Sequence, residues 1–312
     1  MQKLGLVFGG GGGKGAYEIG VWEALHEMGY DNKFNIVVGT SVGALNAALF
    51  VQKDLDCAKR VWSSISNSKI MKMARFDENG DVNLFNQNGL ASLMRRYLKY
   101  REVKNSSCRC YVLTTRTDSF EKSLINLGIS NMPTGSLVTS CGIMGNDVLL
   151  GFFQSNFKSK DILPVCFRLS DLTETEMYDA LLASSSLPFA FPPVRIHNHL
   201  YRDGGIISEN NVPYNYASKN LRCDKILAID LSVGKSEFRH IGNSECLILH
   251  PSKDLGGIFD GTIDFSSSGA VTRMKLGYSD AKNNKKLLDR LLGQEHKNNI
   301  SVTQEEIHRY LL

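Results

Sequence analysis

Short apolar runs alternate with amphipathic stretches along this chain. Residues 4–8 (LGLVF), 34–38 (FNIVV), 110–115 (CYVLTT), 225–231 (KILAIDL) and 246–250 (CLILH) are compact and apolar, the pattern of buried strands. Between them, Tyr17, Val21, Ala24, Leu25 and Met28 recur at helical spacing, and residues 44–49 (ALNAAL) are helix-compatible. Further helices are expected over 177–187 and, as one long element with leucines at 276, 287, 288, 291 and 292, over 271–292. Residues 195–201 suggest another short strand, and Val212-Pro213 opens a helix-like segment. Residues 53–105 read as a polar, helix-rich layer, with 61–62 and 90–97 amphipathic and 75–89 turn-like; the competing reading makes part of it a cover over an apolar cleft. Residues 128–161, rich in Gly, Ser, Asn and Phe, fit an irregular hairpin region or an apolar lip that meets lipid, and both readings stay open. Strands alternating with helices, with no internal repeat, predict a single three-layer α/β domain.

Two of the strand-to-helix junctions are unusual. After the strand at 34–38 comes Gly39-Thr40-Ser41-Val42-Gly43, a strand–G-x-S-x-G–helix arrangement. Such a tight reversal holds a serine exposed at a helix N-terminus, where free N–H groups favour developing negative charge. Taken alone, the pentapeptide fits a nucleophile and an ordinary turn equally well. The other junction follows residues 4–8 with an uninterrupted glycine run from Gly9 to Gly13, then Lys14 and Gly15. A phosphate-binding P-loop would need glycine at position 8 and Ser/Thr at 15, where this chain has Phe8 and Gly15. Gly10, Gly12 and Gly15 match a dinucleotide fingerprint, but the second strand leads into Gly39-Thr40-Ser41 instead of the required acidic residue. The favoured reading is an oxyanion hole, in which successive glycine N–H groups approach a tetrahedral intermediate. Both loops would then emerge at one carboxyl edge of a parallel sheet.

Composition narrows the class without changing this picture. Apolar residues make up 42 % and charged residues 22 % of 312 positions, with 28 glycines, as in ordinary globular chains. A formal charge of +4 is too small to imply nucleic acid and is compatible with an anionic membrane surface. No run approaches 18 apolar residues, so no transmembrane helix is expected. The N-terminal MQKLGLVFGGGGG lacks the apolar region and cleavage site of a signal peptide. The seven cysteines are irregularly spaced, which suggests free thiols; Cys108 and Cys110 are placed to alternate along a strand and not to bind zinc. The expected location is the cytoplasm, peripheral to a membrane at most, with no metal and no cofactor.

Asp203-Gly204-Gly205 is a turn by its local chemistry, and between apolar stretches it is also a place where a buried base can be supplied. With the Gly10–Gly15 loop, the Gly39–Gly43 elbow and this triplet in that order, the sequence resembles the patatin-like phospholipase family. Supporting matches are Gly15-Ala16-Tyr17 leading into a helix that contains Gly20, and Ala183-Ser184-Ser185-Ser186-Leu187-Pro188 with Phe191-Pro192-Pro193-Val194. The resemblance covers residues 4–216, taken as the catalytic domain; residues 217–312 are expected to pack their strands and helices on the same domain and say little about chemistry. It implies an α/β/α sandwich with a mainly parallel sheet and hydrolysis of fatty-acyl esters of phospholipids (phospholipase A or lysophospholipase type) by a Ser–Asp dyad. By the resemblance Ser41 is the nucleophile and Asp203 the base. The N–H groups of Gly11 and Gly12, helped by Gly10 and Gly13, form the oxyanion hole. Lys14, Gly15, Gly39, Gly43, Gly204 and Gly205 support the motifs. The expected partners are an acyl-lipid substrate and a transiently contacted membrane surface, with no nucleic acid; because an unregulated phospholipase would threaten the cell's own membrane, an activator that switches it on is also expected. Two alternatives remain: a Ser–His–Asp esterase recruiting His240 or His250, and a silent lipid- or nucleotide-binding scaffold.

Overall fold

The computed structural model describes residues 2–70, 72–73, 85–119, 162–188 and 190–293. The expected turn-like stretch 75–89 lies mostly, and the Gly/Ser/Phe-rich stretch 128–161 wholly, outside them. In chain order the strands are β1 (Leu4–Phe8), β2 (Ile36–Thr40), β3 (Lys72–Met73), β4 (Phe85–Asn86), β5 (Arg109–Arg116), β6 (Leu163–Arg168), β7 (Val194–Ile196), β8 (His199–Asp203), β9 (Lys225–Ile229), β10 (Glu237–Ile241) and β11 (Ser244–Leu249). The helices are α1 (Ala16–Glu27), α2 (Val42–Val51), α3 (Leu55–Ser64), α4 (Asn67–Ile70), α5 (Asn88–Tyr97), α6 (Tyr100–Asn105), α7 (Glu174–Ser184), α8 (Tyr214–Lys219), α9 (Ser267–Asn283) and α10 (Lys285–Leu292).

The main sheet runs β10-β11-β9-β1-β2-β5-β8-β7, with β6 also paired to β5. β11, β9, β1, β2 and β5 are mutually parallel, and antiparallel strands close both flanks. β1 and β2 are buried along their whole length. The strand period of two sorts their side chains onto two faces. Leu4, Leu6, Phe8, Val37, Leu227, Ile229, Leu247 and Leu249 join one core with residues of α1, α2, α3, α9 and α10. Val7, Ile36, Val38, Ala228 and Ile248 join a second core with Val212 and Ala217 on the α8 side. Helical material on both faces of a mainly parallel sheet is the α/β sandwich expected from the alternation of elements.

Four elements depart from expectation. The long helix over 271–292 is two helices, because Asn284 turns its side-chain amide back onto the Asp280 carbonyl at 2.8 Å and closes α9. The stretch 195–201 is a hairpin of two strands, β7 and β8. β6 and β10 were not expected: β6 (LPVCFR) is apolar but interrupted by Pro164, and β10 is a polar edge strand (EFRHI).

Candidate active site

The sheet register dictates where the chemistry-bearing residues meet. β2 pairs in parallel with β5 and ends with Thr40 opposite Leu113. β8 pairs antiparallel with β5 and ends with Asp203 opposite Thr114. β6 occupies the other side of β5 over the same positions, so β2 and β8 lie on one flank and run head to head. Ser41 follows the end of one strand, and Asp203 terminates the other.

Ser41 has φ 56° and ψ −128°. For a residue with a side chain such a backbone costs roughly 1–3 kcal/mol and persists only where its surroundings enforce it. Glycines at both ends of the elbow permit the close approach. A Cβ on Gly39 would fall 2.2 Å from the Gly43 carbonyl oxygen, and one on Gly43 would fall 2.5 Å from that of Phe8. Hydrogen bonds then fix the elbow. The Ser41 N–H donates to Ser184 Oγ (2.9 Å), Ser184 donates onward to the Leu113 carbonyl (2.6 Å), and Thr40 Oγ1 donates to the Asn210 carbonyl (2.6 Å). Ser184, on α7, is fully buried, whereas Ser41 keeps 8 % of its surface exposed.

Asp203 is buried to 1 % exposure. Its Oδ1 accepts the Gly205 N–H at 2.8 Å, and Gly204 lies close against the Leu113 carbonyl. Oδ2 meets no donor at full hydrogen-bonding geometry; the Ser41 hydroxyl approaches closely enough to favour the ionised carboxylate without completing a bond. Desolvation outweighs both polar neighbours and pushes the carboxyl up to about 7, from an ordinary value of 3.8. A buried carboxyl that titrates near neutrality beside a strained serine can accept a proton from it.

The glycine loop closes the site from β1. The Gly10 N–H donates to the Asn211 carbonyl (2.8 Å), and Asn211 Nδ2 donates back to the Gly10 carbonyl (3.4 Å). Gly10 was expected to help as a donor, but its N–H is already engaged. What it supplies is proximity, since a Cβ there would lie 3.2 Å from Ser41 Cβ. Gly12 to Gly15 form a 3-10 turn, with Gly12 at φ 56° and the Lys14 N–H bonded to the Gly11 carbonyl at 3.2 Å. N–H groups at the start of such a turn have no carbonyl partner inside it. Behind the loop, Asn46 Nδ2 donates to both the Gly15 carbonyl (2.9 Å) and Glu18 Oε2 (2.7 Å), while Trp62 Nε1 donates to Asn46 Oδ1 (3.0 Å). Burial holds the Glu18 carboxyl well above its usual range. This network ties α1, α2 and α3 to the back of the loop.

The structure therefore brings Ser41, Asp203, Gly10, Gly39, Gly43, Gly204 and Gly205 into one locality, with Gly11, Gly12, Gly13, Lys14 and Gly15 continuing from Gly10. The histidines of the alternative triad are remote. β11 and β10 lie three and four strand positions from β2, which puts His250 and His240 about 14 and 19 Å away at strand spacing. His250 Nδ1 lies 3.0 Å from the Ser232 carbonyl, and His240 is exposed. Among the described residues no group of three His, Cys, Asp or Glu side chains is placed to hold a metal ion, and no helix is long and apolar enough to cross a membrane. The positioning contacts of Asn211 and Asn210 were not anticipated from the sequence, and Ser184 stood out only within a motif.

A family model described as Patatin-like phospholipase matches residues 6–218. The chain is 27 % identical over 232 residues to "Patatin-like phospholipase domain-containing protein 7" of Mus musculus, a match covering 74 % of this chain and 14 % of that protein. It is 45 % identical over 51 residues to "Lysophospholipase nte1" of Aspergillus terreus, covering 16 % of this chain and 3 % of the other. The matched parts are thus a small fraction of these relatives' length. Among solved structures, VipD from Legionella pneumophila aligns over 93 % of this chain and 67 % of its own, at a TM-score of 0.45 and 14 % identity. Residues 6–218 contain the glycine loop, the serine elbow and the Asp203 turn, and on that match the chain belongs to the patatin-like phospholipase family.

Proposed function

We propose that this chain hydrolyses fatty-acyl esters of membrane phospholipids or lysophospholipids through Ser41 and Asp203. The observation that carries the reading is the head-to-head meeting of β2 and β8, which sets a strained serine beside a desolvated carboxylate. Serine is a weak nucleophile at neutral pH and needs a base within hydrogen-bond reach. Raised to about 7, Asp203 is a far better proton acceptor than an exposed aspartate, yet about half of it is still ionised at that pH.

Asp203 takes the Ser41 hydroxyl proton as Oγ attacks the ester carbonyl carbon. The N–H groups of Gly11 and Gly12, with Gly13 beside them, receive the oxyanion of the tetrahedral intermediate. The carbon–oxygen bond to the lipid alcohol then breaks, and that alcohol leaves with the proton from Asp203. Asp203 next deprotonates a water molecule, whose oxygen attacks the acyl-serine and releases the fatty acid, returning the proton to Ser41. The lipid itself desolvates the site, which strengthens each of these electrostatic terms. Lipid cleavage is also what the names of the mouse and Aspergillus relatives support.

The test is fatty-acid release from phosphatidylcholine and lysophosphatidylcholine vesicles. Ser41→Ala and Asp203→Asn are each expected to lower kcat by more than about 10³-fold with the fold retained. A fluorophosphonate probe should label Ser41. Activity surviving in Ser41→Ala, or a label on another residue, would overturn the assignment.

A further inference from the structure

The C-terminal third of the chain, which carries none of the motifs, grips the glycine loop through one buried arginine. Arg273, on α9, is 6 % exposed. Its Nε donates to the Leu255 carbonyl (3.3 Å), Nη1 to the carbonyls of Gly13 (3.4 Å) and Asp264 (3.0 Å), and Nη2 to the Asp260 carbonyl (2.5 Å) and Asp264 Oδ2 (2.9 Å). A guanidinium has five N–H donors in a fixed fork, and every one is matched here. Four of the five acceptors belong to residues 255–264, a strap that includes a π-helical turn at Ile258–Thr262. The fifth is the carbonyl of Gly13. The strap lies directly on the loop: a Cβ on Gly12 would fall 2.1 Å from the Thr262 carbonyl oxygen, and one on Gly13 would fall 2.0 Å from that of Asp264. At its other end the loop is held by Asn211 at Gly10, next to Ser41.

We propose that Arg273 is a positioning residue for the reaction: by locking the 255–264 strap onto Gly13, it sets the placement of the Gly11 and Gly12 N–H groups relative to Ser41. The inference rests on the reading of the glycine loop as an oxyanion hole. Its physical basis is the tolerance of such sites. Donors stabilise the transition state only at about 2.7–3.1 Å from the oxyanion, and a misplacement of about 1 Å can cost about 10²-fold in rate. A loop that is mostly glycine has little rigidity of its own, so its placement comes from what clamps it. Asn211 clamps one end and Arg273 the other. Lysine is a poor substitute, because three donors on a flexible stem cannot meet five acceptors in the plane of a fork.

The experiment compares wild type, Arg273→Lys, Arg273→Met, Asp264→Asn and Ser41→Ala in the vesicle assay, with far-UV circular dichroism to establish the folded fraction. Two inhibitors are added: a long-chain trifluoromethyl ketone, which forms a tetrahedral oxyanion on a nucleophilic serine, and a non-hydrolysable ether phospholipid, which does not. For folded Arg273→Met we expect kcat to fall about 10–100-fold, KM to change less than about threefold, and ketone affinity to fall in step with kcat. Binding of the ether lipid should hold, and Arg273→Lys should be intermediate. A folded Arg273→Met with wild-type kcat and ketone affinity overturns the proposal, as does an equal loss of ketone and ether-lipid binding. If Arg273→Met does not fold, Arg273→Lys and Asp264→Asn decide by the same comparison. An inactive Ser41→Ala alongside unaffected Arg273 variants refutes the positioning role alone, whereas an active Ser41→Ala refutes the Ser41 reading and this inference with it.

Discussion

A carboxyl group 1 % exposed to water, with one oxygen bonded to a backbone N–H and the other without a hydrogen-bond partner, keeps its proton until about pH 7. Two consequences follow for Asp203, and they run in opposite directions. As a base it must be ionised, so kcat/KM should rise about tenfold per pH unit below 7 and level off above it; a profile flat from about pH 5 to 8 would remove Asp203 from the proton transfer. For stability the folded value lies above the unfolded one, so the contribution is present below the unfolded value of 3.8 and is lost as pH rises through about 7. Asp203→Asn should therefore melt higher than wild type at about pH 8, with the difference closing toward pH 4, although it has lost activity. At this scale the residue types were legible and their environment was not. Ser41 stood out because a serine between two glycines at a strand-to-helix junction fits a nucleophile elbow, although the pentapeptide alone fitted an ordinary turn equally well. Asp203 read equally as a turn residue, since nothing local tells that β8 buries it against β5. Ser184, Asn211 and Arg273 act on residues 143, 201 and 260 positions away, and no local pattern encodes such a partnership.

Helix α1 begins where the glycine loop ends, and its packing against α9 decides how firmly that junction is held. The two helices meet through glycines: a Cβ on Gly20 would lie 1.8 Å from the Met274 carbonyl oxygen, and one on Gly277 would lie 2.0 Å from that of Tyr17. Their backbones are therefore in direct contact, closer than the 8–10 Å between axes at which ordinary side chains interdigitate. The contact is sealed by Tyr17, whose hydroxyl donates to Asp280 Oδ2 at 3.1 Å, with the Ser252 N–H sharing the same oxygen at 2.9 Å. Burial beside that carboxylate raises the Tyr17 pKa far above its usual range, so the phenol stays a donor at any working pH. Gly277→Ala should destabilise the protein by at least about 1–3 kcal/mol, read from the urea midpoint at unchanged slope, because neither backbone has room to yield. A midpoint at the wild-type value would mean that the helices can separate freely. Glycine within a helical pattern signals such a contact only once the partner is known, which is why Gly20 was legible as part of a motif and Gly277 was not. The same ambiguity hid the break at Asn284, where the leucine pattern continues across two helices.

At the scale of the whole molecule, the stretch that carries every motif is completed by the residues that follow it. The family match ends at residue 218, yet β1, which leads into the glycine loop, lies between β2 and β9 and pairs with Lys225–Ile229 along its entire length. β11 then covers β9, and Ala270, Met274, Leu288 and Leu291 from α9 and α10 fill the core on the α1 face. Strand order explains why this was hard to read: the alternation of elements predicts a parallel sheet, but the order β11-β9-β1-β2 places late strands beside early ones, and periodicity carries no information about that choice. Had the last strands been added at the β5 flank, residues 217–312 would have been an appendage. As built, they complete the inner wall of the sheet, and through Arg273 they touch the loop itself. Removing them would leave β1 with an unpaired, apolar edge of the kind that aggregates, and α1 without its closest partner. A fragment ending at residue 218 is therefore expected to be insoluble or to unfold without a cooperative urea transition, even though it retains Ser41, Asp203 and all of the glycines. A cooperative, monomeric fragment that still hydrolyses lysophosphatidylcholine would show that the early strands close their own core, and that β9 and α9 only decorate it.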